Sequence, residues 1–122
     1  RRIAILLVLA AIAAAAIAST ADASIVGTDV RDGSNCLNCS TYLEMSTGGS
    51  DVSVVCSTYS SPYNGTFYFP DGCHNTPNRY WRVRAVFTYL GCLYVGYSRW
   101  YYNLSPGYTW DFGAISMQLQ HC

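Results

Sequence analysis

Six cysteines, all placed after residue 35, constrain this chain more than any other feature. They fall at Cys36, Cys39, Cys56, Cys73, Cys92 and Cys122, an even number at wide spacing. In an exported chain of this size such a set reads as three disulfides stapling a small, loop-rich fold. Closing a loop of about 16 residues, such as Cys39 to Cys56, adds about 3 kcal/mol in the chain-entropy account. The spacing itself selects no pairing. Cys36-Leu37-Asn38-Cys39 has the C-x-x-C form of metal and redox sites. A structural zinc needs four ligands, and no second C-x-x-C exists. Haem attachment needs His after the second Cys, where Ser40 stands. Both cysteines are therefore expected in disulfides to distant partners, with no metal and no cofactor.

The cysteine-free head, residues 1–23, is of different character. Arg1 and Arg2 lead into Ile3, Ile5, Leu6, Leu7, Leu9 and Ile12, then an alanine-rich stretch through Ile17 to Ala18, without a charge after Arg2. Ala and Leu are the best helix formers, so this segment is an expected α-helix. Its uncharged part spans about 24 Å at 1.5 Å per residue, short of a hydrocarbon core of about 30 Å. Two readings stand. A basic start, an apolar middle and small residues at Ala21-Asp22-Ala23 describe a secretory signal cut before Ser24. A retained helix, apolar all round, must instead be buried in a membrane or among other helices. Ala4, Ala10, Ala11 and Ala13 to Ala16 are small enough for close helix approach.

From Ser24 the pattern turns to short β-rich runs broken by turns. Val52, Val54 and Cys56 alternate against Ser53, Val55 and Ser57. Pro62-Tyr63-Asn64-Gly65 reads as a tight turn, Thr66 to Phe69 as a strand, and Pro70-Asp71-Gly72 as its end. In the run from Tyr80 to Tyr102, Trp81, Val83, Ala85 and Phe87 share one face, and Leu90-Gly91 is the break. After a turn at Ser105-Pro106-Gly107, Ile115, Met117 and Leu119 point inward, and Cys122 is a terminal staple. Residues 24–50 carry the weakest pattern. Five to seven short strands define the expected fold: mostly β, a small disulfide-stapled sandwich or barrel in residues 24–122, preceded by the apolar helix of residues 1–23.

Charge narrows the partners. The net charge is zero, and all seven cations are arginine. Charged residues make up 11% of the chain, against about 25% in an ordinary soluble domain. No basic face is large enough for a phosphate backbone, so nucleic acid is excluded as a partner. Aromatics reach 15%, with 11 tyrosines, so hydroxyls, amides, sugar or neighbouring subunits must keep the surface in solution.

Several groups are candidates for function. Arg82 and Arg84 lie two apart on a strand and point the same way, so with Tyr80 they suit an anionic or sugar ligand, or aromatic rings. Trp100, Tyr101 and Trp110 belong to aromatic clusters that exceed the needs of one small core and mark a contact face. Asn38, Asn64 and Asn103 each open a glycosylation triplet, with Asn64 best placed because it sits in a turn. Asp71 and His74 put a carboxylate three residues from an imidazole, but nothing else in the chain supports acid–base chemistry, and His74 reads as an exposed loop residue.

The layout of an apolar N-terminal helix from Ile3 to Ala18, followed by a charge-poor β domain with glycan triplets, resembles archaeal-type type IV pilins. Arg1 and Arg2 stand where that family has an apolar start, and Ile5 where its bacterial members carry glutamate. The resemblance implies a helical filament of identical subunits, with helices in its centre and β domains outside. The expected protein is thus a non-enzymatic structural subunit of an extracellular or cell-surface filament. It is a homo-oligomer that meets a membrane during export or through its helix. The alternative is a secreted monomeric binding module, lectin-like, inhibitory or part of a toxin, released by cleavage at Ala23/Ser24.

Overall fold

The computed structural model describes residues 24–122. The helix expected over residues 1–23, with all of its apolar positions, lies outside the described residues. The described chain is mostly β. In order it forms β1 (Ser24–Arg31), β2 (Ser34–Asn35), β3 (Ser40–Ser46), β4 (Ser53–Tyr59), β5 (Thr66–Pro70), a single 3-10 turn (Asp71–His74), β6 (Tyr80–Tyr89), β7 (Cys92–Tyr97), β8 (Tyr101–Tyr102) and β9 (Thr109–His121). The weakly patterned stretch from 24 to 50 thus holds three strands.

The strands hydrogen-bond in the order β2-β1-β9-β7-β6-β3-β4, with β5 on β1 and β8 on β6. Every pairing is antiparallel except β1 with β9. The 13-residue β9 joins the two halves of the sheet. It pairs with β1 as far as Met117 and with β7 from Gln118. Partway along, Phe112 and Gly113 stand opposite the single residue Gly27, and Gly113 has φ 71°. An extra residue on one strand bends it and tightens its twist. The result is a sheet curled into a half-barrel around its own core.

Alternation explains which faces are covered. On β6, Trp81, Val83 and Ala85 are buried while Arg82, Arg84 and Val86 face outward. The β6–β7 hairpin closes at Leu90-Gly91, both at positive φ (50° and 76°), the backbone form that suits the twist of tight hairpins. Ile25, Phe67 and Phe69 from one half of the curl meet Leu43, Trp81 and Val83 from the other. Phe112, Ile115 and Met117 of β9 complete this core.

Three disulfides form: Cys36–Cys39, Cys56–Cys73 and Cys92–Cys122. The C-x-x-C cysteines therefore pair with each other, correcting the expectation of distant partners. Asn38 at φ 56° turns the chain back on itself between them. The buried Ser60 then ties the loop down, its hydroxyl donating to Cys36 O at 2.6 Å and accepting from Cys39 N at 2.8 Å. Cys92–Cys122 is the expected terminal staple. Cys56–Cys73 links β4, at one end of the sheet, to the turn after β5, at the other, so the mouth of the curl is closed by a covalent bond. Three disulfides fit an oxidising environment. Among the described residues no helix is long and apolar enough to cross a membrane.

On β4 both faces meet water: Val54 is 47% exposed and Val55 is exposed too, because β4 is an end strand with the curl's mouth beside it. Two further expectations change. Leu119 is 53% exposed, since β9 has by then run past its pairing with β1. His74 is fully buried rather than exposed, drawn in by the 3-10 turn and by the adjacent Cys73 staple.

Candidate functional site on the outer face of the sheet

The sequence places Arg82 and Arg84 on one face of β6, and the register brings β3 alongside them. Glu44 lies opposite Arg82, and Tyr42 opposite Arg84. Glu44, the sole glutamate of the chain, has a side chain only 7% exposed. Its Oε1 accepts from Arg82 Nε at 2.8 Å and its Oε2 from Arg84 Nε at 2.9 Å. One carboxylate thus orients two guanidinium groups through charge-assisted hydrogen bonds. Rings complete the arrangement. Arg82 Cζ lies 4.2 Å from the Tyr97 ring and 4.4 Å from that of Trp100, and Arg84 Cζ lies 4.5 Å from Tyr42. Such contacts stabilise a cation while leaving it near water.

Beside Arg82 opens a concavity of about 390 Å3. Tyr80 and Arg82 reach it from β6, and Trp100 from the segment after β7. Ser46, Gly48, Gly49 and Val52 reach it from the β3–β4 loop. That loop is held by Asp51, whose carboxylate accepts from Ser46 Oγ at 3.1 Å, from Thr47 N at 3.3 Å and from the Thr47 hydroxyl. These donors, Thr47 foremost, hold the Asp51 carboxyl at about 2. The site therefore has aromatic walls, one oriented guanidinium and a braced loop. A second concavity, about 550 Å3, lies at the mouth of the curl between β1, β4 and β5, where hydroxyl side chains predominate and Asp111 is the charged member.

The expected contact face is not continuous. Tyr80, Arg82 and Trp100 converge on one concavity, with Arg84 next to it. Tyr101 turns away and stacks on Phe112 at 4.3 Å, under Arg99. Trp110 pairs with Tyr108 at 6.2 Å and donates Nε1–H to Ser105 O at 3.0 Å. Arg31 sits among Phe87, Tyr89 and Tyr94. Glu44 is the member that sequence reasoning missed. Its status as the lone glutamate, in a strand with Tyr42, was the available signal.

The glycosylation triplets occupy three distinct turns. Asn64 is exposed, and its Oδ1 accepts from Thr66 Oγ1 at 2.7 Å. Asn103 uses Oδ1 to hold Asn78 N at 2.8 Å, and Asn38 sits inside the small disulfide ring. His74 Nε2 lies 3.2 Å from Asp71 Oδ1, but neither ring nitrogen makes a well-formed hydrogen bond or reaches solvent. Burial pushes the imidazole pKa below its ordinary value, against the pull of Asp71. Among the described residues no group of three His, Cys, Asp or Glu side chains is placed to hold a metal ion.

No family model and no curated protein matches the chain. A solved structure, the 9R-lipoxygenase from Cyanothece PCC8801, is similar over 77% of this chain with a TM-score of 0.51 and 12% identity. The chain spans 16% of that protein's length. A likeness at this identity shows a shared β fold and nothing of activity.

Proposed function

We propose that residues 24–122 are a non-enzymatic, extracellular binding domain that recognises carbohydrate at the Tyr80–Arg82–Trp100 concavity. The observation that carries this reading is the convergence of two aromatic rings and one oriented guanidinium on a single opening beside a braced, side-chain-poor loop. Small-ligand sites are concave, largely apolar, and furnished with a few well-placed polar groups. Sugar rings meet such sites through C–H faces on aromatic rings and hydroxyls on polar groups. The test is a glycan array probed with the intact protein, followed by titration of the best ligand against Trp100→Ala. Binding that falls by about tenfold or more in a variant with unchanged melting supports the reading. Full binding by that variant refutes it.

A second reading, the filament subunit, draws support from β4. This end strand pairs with β3 alone among the described residues and exposes Val54 and Val55. An uncovered edge with β-branched residues is a surface for pairing with another chain. Electron micrographs of native material decide it: filaments that dissolve in Val54→Lys support assembly through β4, whereas dispersed particles exclude it.

A further inference from the structure

We infer that the concavity selects acidic saccharides, with the sugar ring on Tyr80 or Trp100 and its oxyanion on the terminal nitrogens of Arg82. This rests on the carbohydrate reading above and adds the class of sugar. The first argument is charge. Glu44 supplies one negative charge to two guanidinium groups, so the cluster keeps an excess of one positive charge. No acid lines the concavity, and the ionised Asp51 of the adjoining loop is hydrogen-bonded to Ser46 and Thr47, so it does not pair with Arg82.

The second argument is which donors are left. Arg82 uses Nε for Glu44, and its carbon lies against two rings. Among the described residues its Nη groups make no hydrogen bond. A guanidinium so fixed offers a planar edge of N–H donors that matches an oxyanion in a way a lone hydroxyl does not. The third argument is access. Gly48 sits at φ 121°, and a Cβ there would lie 3.4 Å from the Tyr80 ring. The positive φ favours glycine at that position, which leaves this part of the concavity wall without a side chain. A single excess charge is too little for a nucleic-acid backbone, which needs several cations.

The experiment uses the full chain with its disulfides intact. A printed array of neutral, carboxylated and sulfated oligosaccharides comes first. Titration calorimetry follows with trigalacturonic acid, its neutral galactose counterpart and a hexapeptide of Asp and Glu, at low and at high salt. The expected result is about tenfold or greater preference for the acidic over the neutral sugar, reduced by salt. Arg82→Gln abolishes that preference, and Arg82→Lys, which keeps the charge but loses the planar edge, retains only part of it. Trp100→Ala weakens acidic and neutral sugars alike. Equal binding of neutral sugar, still sensitive to Trp100→Ala, overturns the acidic inference and leaves the carbohydrate reading standing. Acidic preference that survives both Arg82 variants overturns the inference as well, as does peptide binding as tight as that of sugar. Absence of any glycan binding overturns both.

Discussion

The carboxylate of Asp29 accepts the hydroxyl hydrogen of Thr41 at a point where both side chains are fully buried. Its second oxygen, Oδ1, has no partner. Burial pushes the Asp29 pKa from 3.8 up to about 7, with the Thr41 hydrogen bond pulling the other way. The folded protein therefore keeps a proton that the unfolded chain releases. This contribution to stability is complete below about pH 4 and is lost as pH rises through about 7. His74 acts in the opposite sense. Its folded pKa is depressed by burial, so its contribution is present above its unfolded value of 6.5 and is lost as pH falls below it.

Urea midpoints measured from about pH 5 to about pH 8 are expected to separate the two. Asp29→Asn should remove the decline that Asp29 imposes between about pH 5 and about pH 7, so that the opposing acid-side loss from His74 stands out more steeply. Identical pH profiles for the two proteins would show that Asp29 is not the group responsible.

Glu44 makes a different kind of contact, because it holds two arginines and not a hydroxyl. Glu44→Gln keeps the shape but removes the charge that both Nε donors use. The arginine side chains are 23% and 27% exposed, so water recovers part of the loss. The expected cost is about 1–3 kcal/mol in thermal or urea unfolding. Ligand affinity at the concavity should fall together with stability, since Arg82 is no longer oriented. Unchanged affinity in a folded Glu44→Gln protein would show that the rings alone position Arg82.

Much of this architecture was legible in the chain because β6 alternates cleanly: Trp81, Val83 and Ala85 inside, Arg82 and Arg84 outside. The turns at Leu90-Gly91 and Pro106-Gly107 were legible for the same local reason, as residues that favour turn geometry. What escaped depends on contacts between distant strands. Val54 has the same alternating neighbours as a buried residue, and only the position of β4 at the end of the sheet exposes it. Glu44 became the centre of the site through register with β6, which no local spacing encodes. The Cys36–Cys39 loop is tied down by Ser60, 21 residues beyond Cys39, a contact that no local spacing announces.

The disulfides should rank by the loop each closes. Their sequence separations are 30 for Cys92–Cys122, 17 for Cys56–Cys73 and 3 for Cys36–Cys39. Chain entropy assigns them about 3.6, about 3 and about 1.5 kcal/mol in that order. Paired replacements by serine, compared by urea unfolding, check the order. Should Cys56–Cys73 prove the costliest to lose, closing the mouth of the curl contributes more than loop length does.

At Gly96, β7 and β9 approach closely. A Cβ there would lie 2.7 Å from the Ser116 carbonyl carbon and 2.9 Å from Met117 Cα. Both are backbone atoms of the strand that carries the core residues Ile115 and Met117, so neither yields by a rotamer change. Gly96→Ala must separate β9 from β7, with an expected loss of about 2–4 kcal/mol. Gly72 provides the control, having ordinary φ and open space around its Cβ position. Gly72→Ala should leave the melting temperature nearly unchanged. If Gly96→Ala melts with Gly72→Ala and wild type, then β9 can shift along β7 without cost. The register through which this strand holds the two halves of the curl together would then be far looser than its packing implies.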